Sequence, residues 1–442
     1  VTTGRSLTLP HARALVVSSM IGTGVFTTAG LMLDSLRSPL AVLAAWLVGG
    51  LLALAGAAVY AELGAMMPRA GGEYVYLSRA FHPALGFVSG FVALFVGFSA
   101  PAAAGALAFG RYLHAVAPAV PERGAAFVLL AAVTALHARE VRRGGAIQAA
   151  LTGTIVVVIV VFVGAALTTG NLAWARLAAA APTTPAAGTF AVALVYASYA
   201  YFGWNAAGYV AGEVREPDRT LPRALLGGAA IVTLLYLALN AVFLASAPPD
   251  ALAGRVEVGD VAARALFGPR GGAALSALIA LALAGSVSAL SMTGPRVVQA
   301  MAADGAFFRG VAPTNAHGAP TRAVLLQGAL AMIGAATATV EPLLVYAGFT
   351  LTLSAAATVA GAFVLRHREP TAPRPHRALA WPFSGIAFLA LSAFMLVLSV
   401  RERPVETLAG VLTLIIGGAA WASRGRNRQD ARADEPEEPE RK

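Results

Sequence analysis

Long apolar runs separated by short, arginine-bearing polar segments set the layout of this chain. Runs long enough to cross about 30 Å of hydrocarbon as a helix fall near residues 12–34, 40–66, 84–114, 124–138, 146–169, 187–212, 223–247, 271–294, 322–340, 342–365, 379–400 and 404–423. They predict twelve spans of an all-α polytopic membrane protein, because lipid leaves each segment to satisfy its own amides and carbonyls. Only a turn from Thr339 to Pro342 parts the ninth run from the tenth. Residues 1–423 read as a single transmembrane domain. Residues 424–442, running from Arg424-Gly425-Arg426 to Glu437-Glu438-Pro439-Glu440, read as a disordered, charged cytoplasmic tail whose basic part rests on anionic membrane lipids. The N-terminus has no small-residue cleavage pattern, so the first run is expected to remain as a span.

Two of the runs are punctured at mid-depth. The first contains Ser19-Met20-Ile21-Gly22-Thr23-Gly24-Val25-Phe26, and the sixth contains Tyr199-Ala200-Tyr201-Phe202-Gly203-Trp204-Asn205-Ala206-Ala207-Gly208. A helix interrupted there leaves backbone groups that hydrocarbon cannot satisfy, so they must face protein, water or a ligand. Paired interruptions in corresponding helices point to two inverted repeats with a binding site at the midplane. Spans one to five (about 11–169) and six to ten (about 187–366) are the predicted repeats, and about 379–423 holds two extra helices. The competing readings are close-packing glycines of an unbroken helix for Gly22 and Gly24, and an aromatic belt for Tyr199, Tyr201 and Trp204. The second sits poorly with their mid-span position.

Composition agrees with a membrane protein. Hydrophobic residues make up 58% and charged residues 12%, with a mean hydropathy of +0.71, whereas a soluble domain carries about 25% charged residues. The net charge of +10 comes almost wholly from arginines between the apolar runs, a pattern of topology rather than phosphate binding, so no nucleic acid partner is expected. An even number of spans puts both termini on one side. That side collects Arg13, Arg69, Arg79, Arg142, Arg143, Arg215, Arg219, Arg223, Arg366, Arg368 and the basic tail, while the other holds few, such as Arg37, Arg123, Arg176 and Arg255. Both termini are therefore expected in the cytoplasm. There is no cysteine for a disulfide or thiolate metal site, and the histidines lack ligand spacing, so neither a metal nor a cofactor is expected.

Inside the spans acidic groups are nearly absent. Asp34, Glu62 and Glu213 lie near helix ends, and the last two read as structural caps or salt-bridge partners rather than proton carriers. A ligand with a net charge would lack a partner in a low dielectric, so a zwitterion fits best. Its carboxylate would sit on free amides at the start of a half-helix, where the dipole offers about half a positive charge. Its ammonium would sit on carbonyls at the broken ends, around Met20 and Ile21 and around Ala200 and Tyr201. Ser286 and Ser288 in span eight either meet ligand or cation or only hydrogen-bond their own helix.

In this order the motifs resemble those of the amino acid/polyamine/organocation (APC) permeases. Ile21 to Phe26 is similar to the GSGIF element of that family. Ala61-Glu62-Leu63-Gly64, then Pro68-Arg69-Ala70-Gly71-Gly72-Glu73-Tyr74-Val75-Tyr76-Leu77, resembles its second-span and loop signature. Phe202-Gly203-Trp204-Asn205, continuing to Gly212-Glu213-Val214, Glu216-Pro217 and Leu221-Pro222-Arg223-Ala224, is similar to the L-type amino acid transporter (LAT) branch. Gly285-Ser286-Val287-Ser288 to Arg296 and Asp304-Gly305 continue the resemblance, which covers about residues 8–400. It implies the LeuT-like five-plus-five inverted repeat with two additional helices, and a ligand held between spans one, three, six and eight.

Carried over residue by residue, the resemblance gives the carboxylate to Gly22, Thr23 and Gly24 and makes Tyr199 the aromatic that closes over the ligand. Gly203 and Asn205 belong to the same second break. Ala200 stands where relatives with cationic substrates carry an acid, and Phe202 stands where relatives with large substrates have glycine. Both imply a small, neutral side chain. Ala103 and Leu107 form a candidate far wall, and Ser286, Ser288, Tyr201 and Trp204 are candidate ion or gating residues. Many bacterial relatives carry a lysine seven residues after a glutamine in span five as a fixed cation. Here Gln148 is followed at that distance by Ile155, which leaves the coupling ion open between proton, sodium and exchange alone.

The expectation is an inner-membrane secondary transporter or exchanger of small neutral L-amino acids, not an enzyme, with a homo-oligomer among its expected assemblies. A polyamine or cationic amino acid exchanger of the same fold, using aromatic cation–π contacts, is the first alternative. A non-transporting amino acid sensor is the second.

Overall fold

The computed structural model of the chain describes residues 7–433 except 70, 140–141, 179–184, 304, 306 and 317. In chain order the helices are α1 (Leu9–Met20), α2 (Thr23–Leu36), α3 (Pro39–Met66), α4 (Glu73–Ala80), α5 (Pro83–Val92), α6 (Ala100–Val116), α7 (Glu122–Arg139), α8 (Arg142–Thr168) and α9 (Ala187–Tyr201). They continue with α10 (Ala206–Tyr209), α11 (Pro217–Ser246), α12 (Pro249–Leu252), α13 (Val258–Ala303), α14 (Thr321–Thr337), α15 (Val340–Arg368), α16 (Phe383–Glu402) and α17 (Pro404–Ala433). Among the described residues the only β pairing is an isolated bridge between Leu7 and Val214.

Among the described residues eight helical stretches are long and apolar enough to cross a membrane, with α1 and α2 taken together and α5 and α6 taken together. The chain is a multi-pass membrane protein. Three further apolar helices are shorter, Ile155–Thr168, Ala187–Tyr201 and Thr321–Thr337. α17 runs on to Ala433, into the charged stretch read as disordered, and residues 434–442 lie outside the described residues.

Local chemistry accounts for several helix boundaries. Ser38 caps α3, its hydroxyl accepting from the Ala41 amide at 3.2 Å, and Pro39 occupies the first turn, where a missing amide costs nothing. Pro101 cannot donate a backbone bond to the preceding turn, and α5 passes into α6 through a π-helical stretch, Ala93–Ser99, that absorbs the mismatch. α13 is longer than the apolar run that predicted it. Its first limb carries Arg264 and turns into the second at Gly268 (φ 75°), ahead of Pro269.

Burial sorts the helices into an inner set and an outer layer. In the most apolar window of Pro83–Val116, 78% of residues are buried, against 28% in α16 and 22% in α17. The last two therefore form an outer layer, where Val397, Ile415 and Ile416 stay exposed, as lipid-facing side chains should. α3 and α11 lie side by side, and between α3, α9 and α11 Trp46 meets Tyr201 and Tyr236 edge-on while the two tyrosines are tilted against each other, with ring centres 5.1–5.7 Å apart.

Candidate functional site

Both punctured runs are broken where the sequence places the glycines. α1 stops at Met20, Ile21 is extended, Gly22 takes φ −140° and ψ −144°, and α2 restarts at Thr23. α9 stops at Tyr201, Phe202 is extended, and Gly203 takes φ +111° before the single turn of α10.

The two breaks press on each other. A Cβ on Gly24 would lie 2.5 Å from the Cα of Ala200, and one on Gly203 would lie 2.4 Å from the Ser19 carbonyl oxygen. Neither contact admits a side chain, so each glycine is required by the backbone of the other segment. This excludes the unbroken-helix reading of Gly22 and Gly24. They are close-packed, but at a break.

A cavity of about 270 Å³ opens at the crossing, close to the roughly 300–1,000 Å³ of small-molecule sites. Met20, Ile21, Gly22, Thr23, Gly24, Tyr199, Ala200, Phe202, Gly203, Asn205 and Ser286 all line it. Ser286 sits against the first break, its hydroxyl 3.2 Å from where a Cβ on Gly22 would be. From the breaks the cavity extends past Leu15, Ser18 and Ser89 toward the side on which α1 begins. Among the described residues that line it there is no lysine, arginine or histidine.

α2 has no side-chain cap on its first turn. Its leading amides are thus a ready receptor for an anionic group. The Thr23 and Thr28 side chains do not compete for that role. Thr28 donates to the Gly24 carbonyl at 2.9 Å, and the Thr23 hydroxyl faces that of Tyr199.

Other sequence-predicted residues lie elsewhere. Ala103 and Leu107 are buried in the packing of α6 and are not in the cavity wall, which α6 meets at Pro101 instead. Ser288 points away from the cavity and hydrogen-bonds His137 Nε2 at 2.9 Å. Tyr201 donates to the Trp46 carbonyl at 3.0 Å, and Trp204 packs edge-on to Tyr60 with ring centres 4.6 Å apart. These two hold the outer face of the second break, not the ligand side. Ile155 does face the cavity, so an apolar side chain stands where relatives carry a lysine. The Gln148 side chain lies outside the described residues.

Two groups were missed by reading the sequence. The Tyr236 hydroxyl donates to the Met20 carbonyl at 2.6 Å and to the Ala200 carbonyl at 3.1 Å, tying the breaks together from α11. Two of the four carbonyls assigned to an ammonium therefore already accept a hydrogen bond, and Tyr201, which carries a third, is not among the residues that line the cavity. The signal was a lone phenol in an apolar span, whose hydroxyl must find a partner. The second is Glu73, the one carboxyl among the described residues of the cavity wall, which lay in a motif with no role attached to it. Burial pushes this carboxyl above its ordinary value, against the hydrogen bonds it accepts. Glu62, by contrast, takes the structural role its position suggests: it accepts from Arg366 Nε at 3.0 Å and from the Ala378 amide at 2.7 Å.

Known proteins share this chain nearly end to end. The large neutral amino acids transporter small subunit 2 of Mus musculus is 28% identical over 426 residues, covering 93% of this chain and 80% of its own. The Asc-type amino acid transporter 1 of Mus musculus is 27% identical, covering 95% and 82%. The b(0,+)-type amino acid transporter 1 of Mus musculus is 26% identical, covering 91% and 84%. The model of the amino acid permease family matches residues 7–420, a stretch that takes in both breaks and the cavity between them, and the chain belongs to that family.

Proposed function

We propose that this protein is a secondary transporter of small neutral L-amino acids in the cytoplasmic membrane, working by alternating access with both termini in the cytoplasm. In this reading twelve spans form two inverted repeats of five plus two outer helices. The reciprocal contact of the breaks, Gly24 on Ala200 and Gly203 on Ser19, supports that symmetry. The observation that carries the function is the uncapped first turn of α2 opening on a cavity whose described lining residues include no cation. A carboxylate there is met by backbone amides alone, and the ammonium of the same molecule by carbonyls of the breaks, so the amino acid core is read by main chain.

Side-chain size is set by Phe202, which lines the cavity. Removing its ring opens space for longer ligands. One relative is named for the transport of large neutral amino acids, which is in keeping with a neutral ligand, while the small size rests on Phe202 alone.

The test is uptake of labelled L-alanine into liposomes containing the purified protein, in competition with leucine, phenylalanine, arginine and putrescine. Alanine and serine should compete most strongly, and Phe202→Gly should shift preference toward leucine and phenylalanine. Dominant competition by arginine or putrescine would replace this reading with the cationic one. Binding without uptake would leave a sensor.

A further inference from the structure

Glu73 opens α4 at the inner end of the cavity and is only 4% exposed. Its Oε1 accepts from the Tyr60 hydroxyl at 2.7 Å and from Asn205 Nδ2 at 3.2 Å, and its Oε2 from Ser354 at 2.8 Å and Ser89 at 3.5 Å. One carboxyl thus joins α3, α5, α15 and the link between α9 and α10. That link is the second break itself, and Asn205 lies two residues beyond Gly203.

The groups facing it are neutral. Tyr60 from α3, Tyr76 from its own helix and Tyr209 from α10 are the titratable neighbours. The cations on adjoining elements are engaged elsewhere: Arg366 with Glu62, Arg79 with Glu369, and Arg368 with the Ala80 carbonyl. His82 caps α5 through the Ala84 amide. Glu62 shows the contrast, since two arginines, Arg366 and Arg374, pair with it.

The cluster around Glu73 can satisfy either protonation state. Three of its partners are hydroxyls, which turn to accept as readily as they donate. The fourth, Asn205, has a buried Oδ1 with no partner. Turning that amide over presents Oδ1 to a carboxylic O–H. The switch from anion to acid then exchanges one unpartnered amide atom, Oδ1, for the other, Nδ2, and reverses the hydrogen bond to the broken segment.

We propose that Glu73 is a proton-binding site coupled to the second break, so that a proton is a co-substrate of amino acid transport. The arrangement seen here, with four donors on the carboxyl, is that of the anion; the proton is taken up when the break moves and the Asn205 amide turns over. Linkage makes the coupling reciprocal: whatever proton occupancy does to the position of the break, movement of the break does to proton affinity. Burial pushes this carboxyl upward against its four donors, which favours uptake of the proton once those donors turn away. The proposal rests on the reading that the chain transports amino acids.

The test uses the full chain in liposomes and labelled L-alanine. Exchange of external for internal alanine at equal pH checks transport itself, and its absence removes both readings together. With exchange established, a pH gradient that is alkaline inside should drive accumulation by up to about tenfold per pH unit for one proton per amino acid. In Glu73→Gln the ratio of uptake with and without the gradient should fall to about one, scored against that variant's own exchange. Wild-type exchange without a gradient response, or a response that survives in Glu73→Gln, overturns the proton site and leaves transport standing. Should Glu73→Gln fail to insert, Tyr60→Phe and Ser354→Ala carry the test. Each removes a donor to the anion, so each should move the midpoint of the pH profile to higher pH, and an unmoved midpoint overturns the proposal.

Discussion

Gly203→Ala is the sharpest probe of the crossed breaks. The added methyl would lie 2.4 Å from the Ser19 carbonyl oxygen, 2.6 Å from its carbon and 2.9 Å from the Met20 amide nitrogen. All three are backbone atoms of the opposite break, so no rotamer change relieves the contact. The residue also sits at φ +111°, where an L side chain costs about 1–3 kcal/mol. Overpacking adds about 1–3 kcal/mol, so the total is roughly 2–6 kcal/mol. If only about 1.4 kcal/mol of this falls on the ligand-competent arrangement, affinity drops tenfold. Thermal unfolding of the purified protein in detergent, with and without L-alanine, reads both effects. The expected result is a lowered Tm and loss of protection by alanine. Gly418→Ala is the control, since nothing lies within 4 Å of that methyl, and it should leave both unchanged. A Gly203→Ala protein with wild-type Tm and alanine protection would refute the contact between the breaks, and with it the geometry of the site.

Tyr236→Phe removes the hydroxyl shared by the Met20 and Ala200 carbonyls, and should cost about 1–3 kcal/mol for unsatisfied buried acceptors; unchanged Tm and alanine affinity would show that the bridge is dispensable. Glu62→Gln leaves Arg374, whose side chain is 9% exposed, without its counter-charge, and a loss of about 3–5 kcal/mol should appear as a large fall in Tm. The raised Glu73 carboxyl binds a proton more tightly in the folded than in the unfolded chain. Its contribution to stability is therefore full below the ordinary glutamate value of 4.5 and lost as pH rises through the higher folded value. Glu73→Gln should flatten that part of the Tm–pH curve, and an unaltered slope would assign it to another group.

What could be read from the chain and what could not divides along physical lines. The helical class, the membrane setting and the positions of both breaks were legible, because apolar run length and mid-span glycines express local demands: hydrocarbon thickness and backbone satisfaction. The run containing Gly22, Thr23 and Gly24 and the run containing Tyr199, Ala200, Phe202, Gly203 and Asn205 do meet at one cavity. Span lengths were less legible. The first limb of α13 was missed because Arg264 and Arg270 interrupt the apolar run, although they lie on exposed helix faces.

Facing directions were hidden as well. Ser286 and Ser288 are two residues apart, and a helix turns about 200° over two residues, so only Ser286 reaches the cavity while Ser288 meets His137. Which of the two is the inward one depends on how α13 is rotated against its neighbours. The same holds for Tyr199 against Tyr201. The sequence by itself therefore determined that two helices must come apart in the membrane, since glycine and unsatisfied amides are properties of the chain. Only the tertiary structure decided that the breaks touch, that Tyr236 from a third helix ties them, and that Glu73 stands at the cavity's end among neutral donors. Those are relations between segments far apart in sequence, created by packing alone.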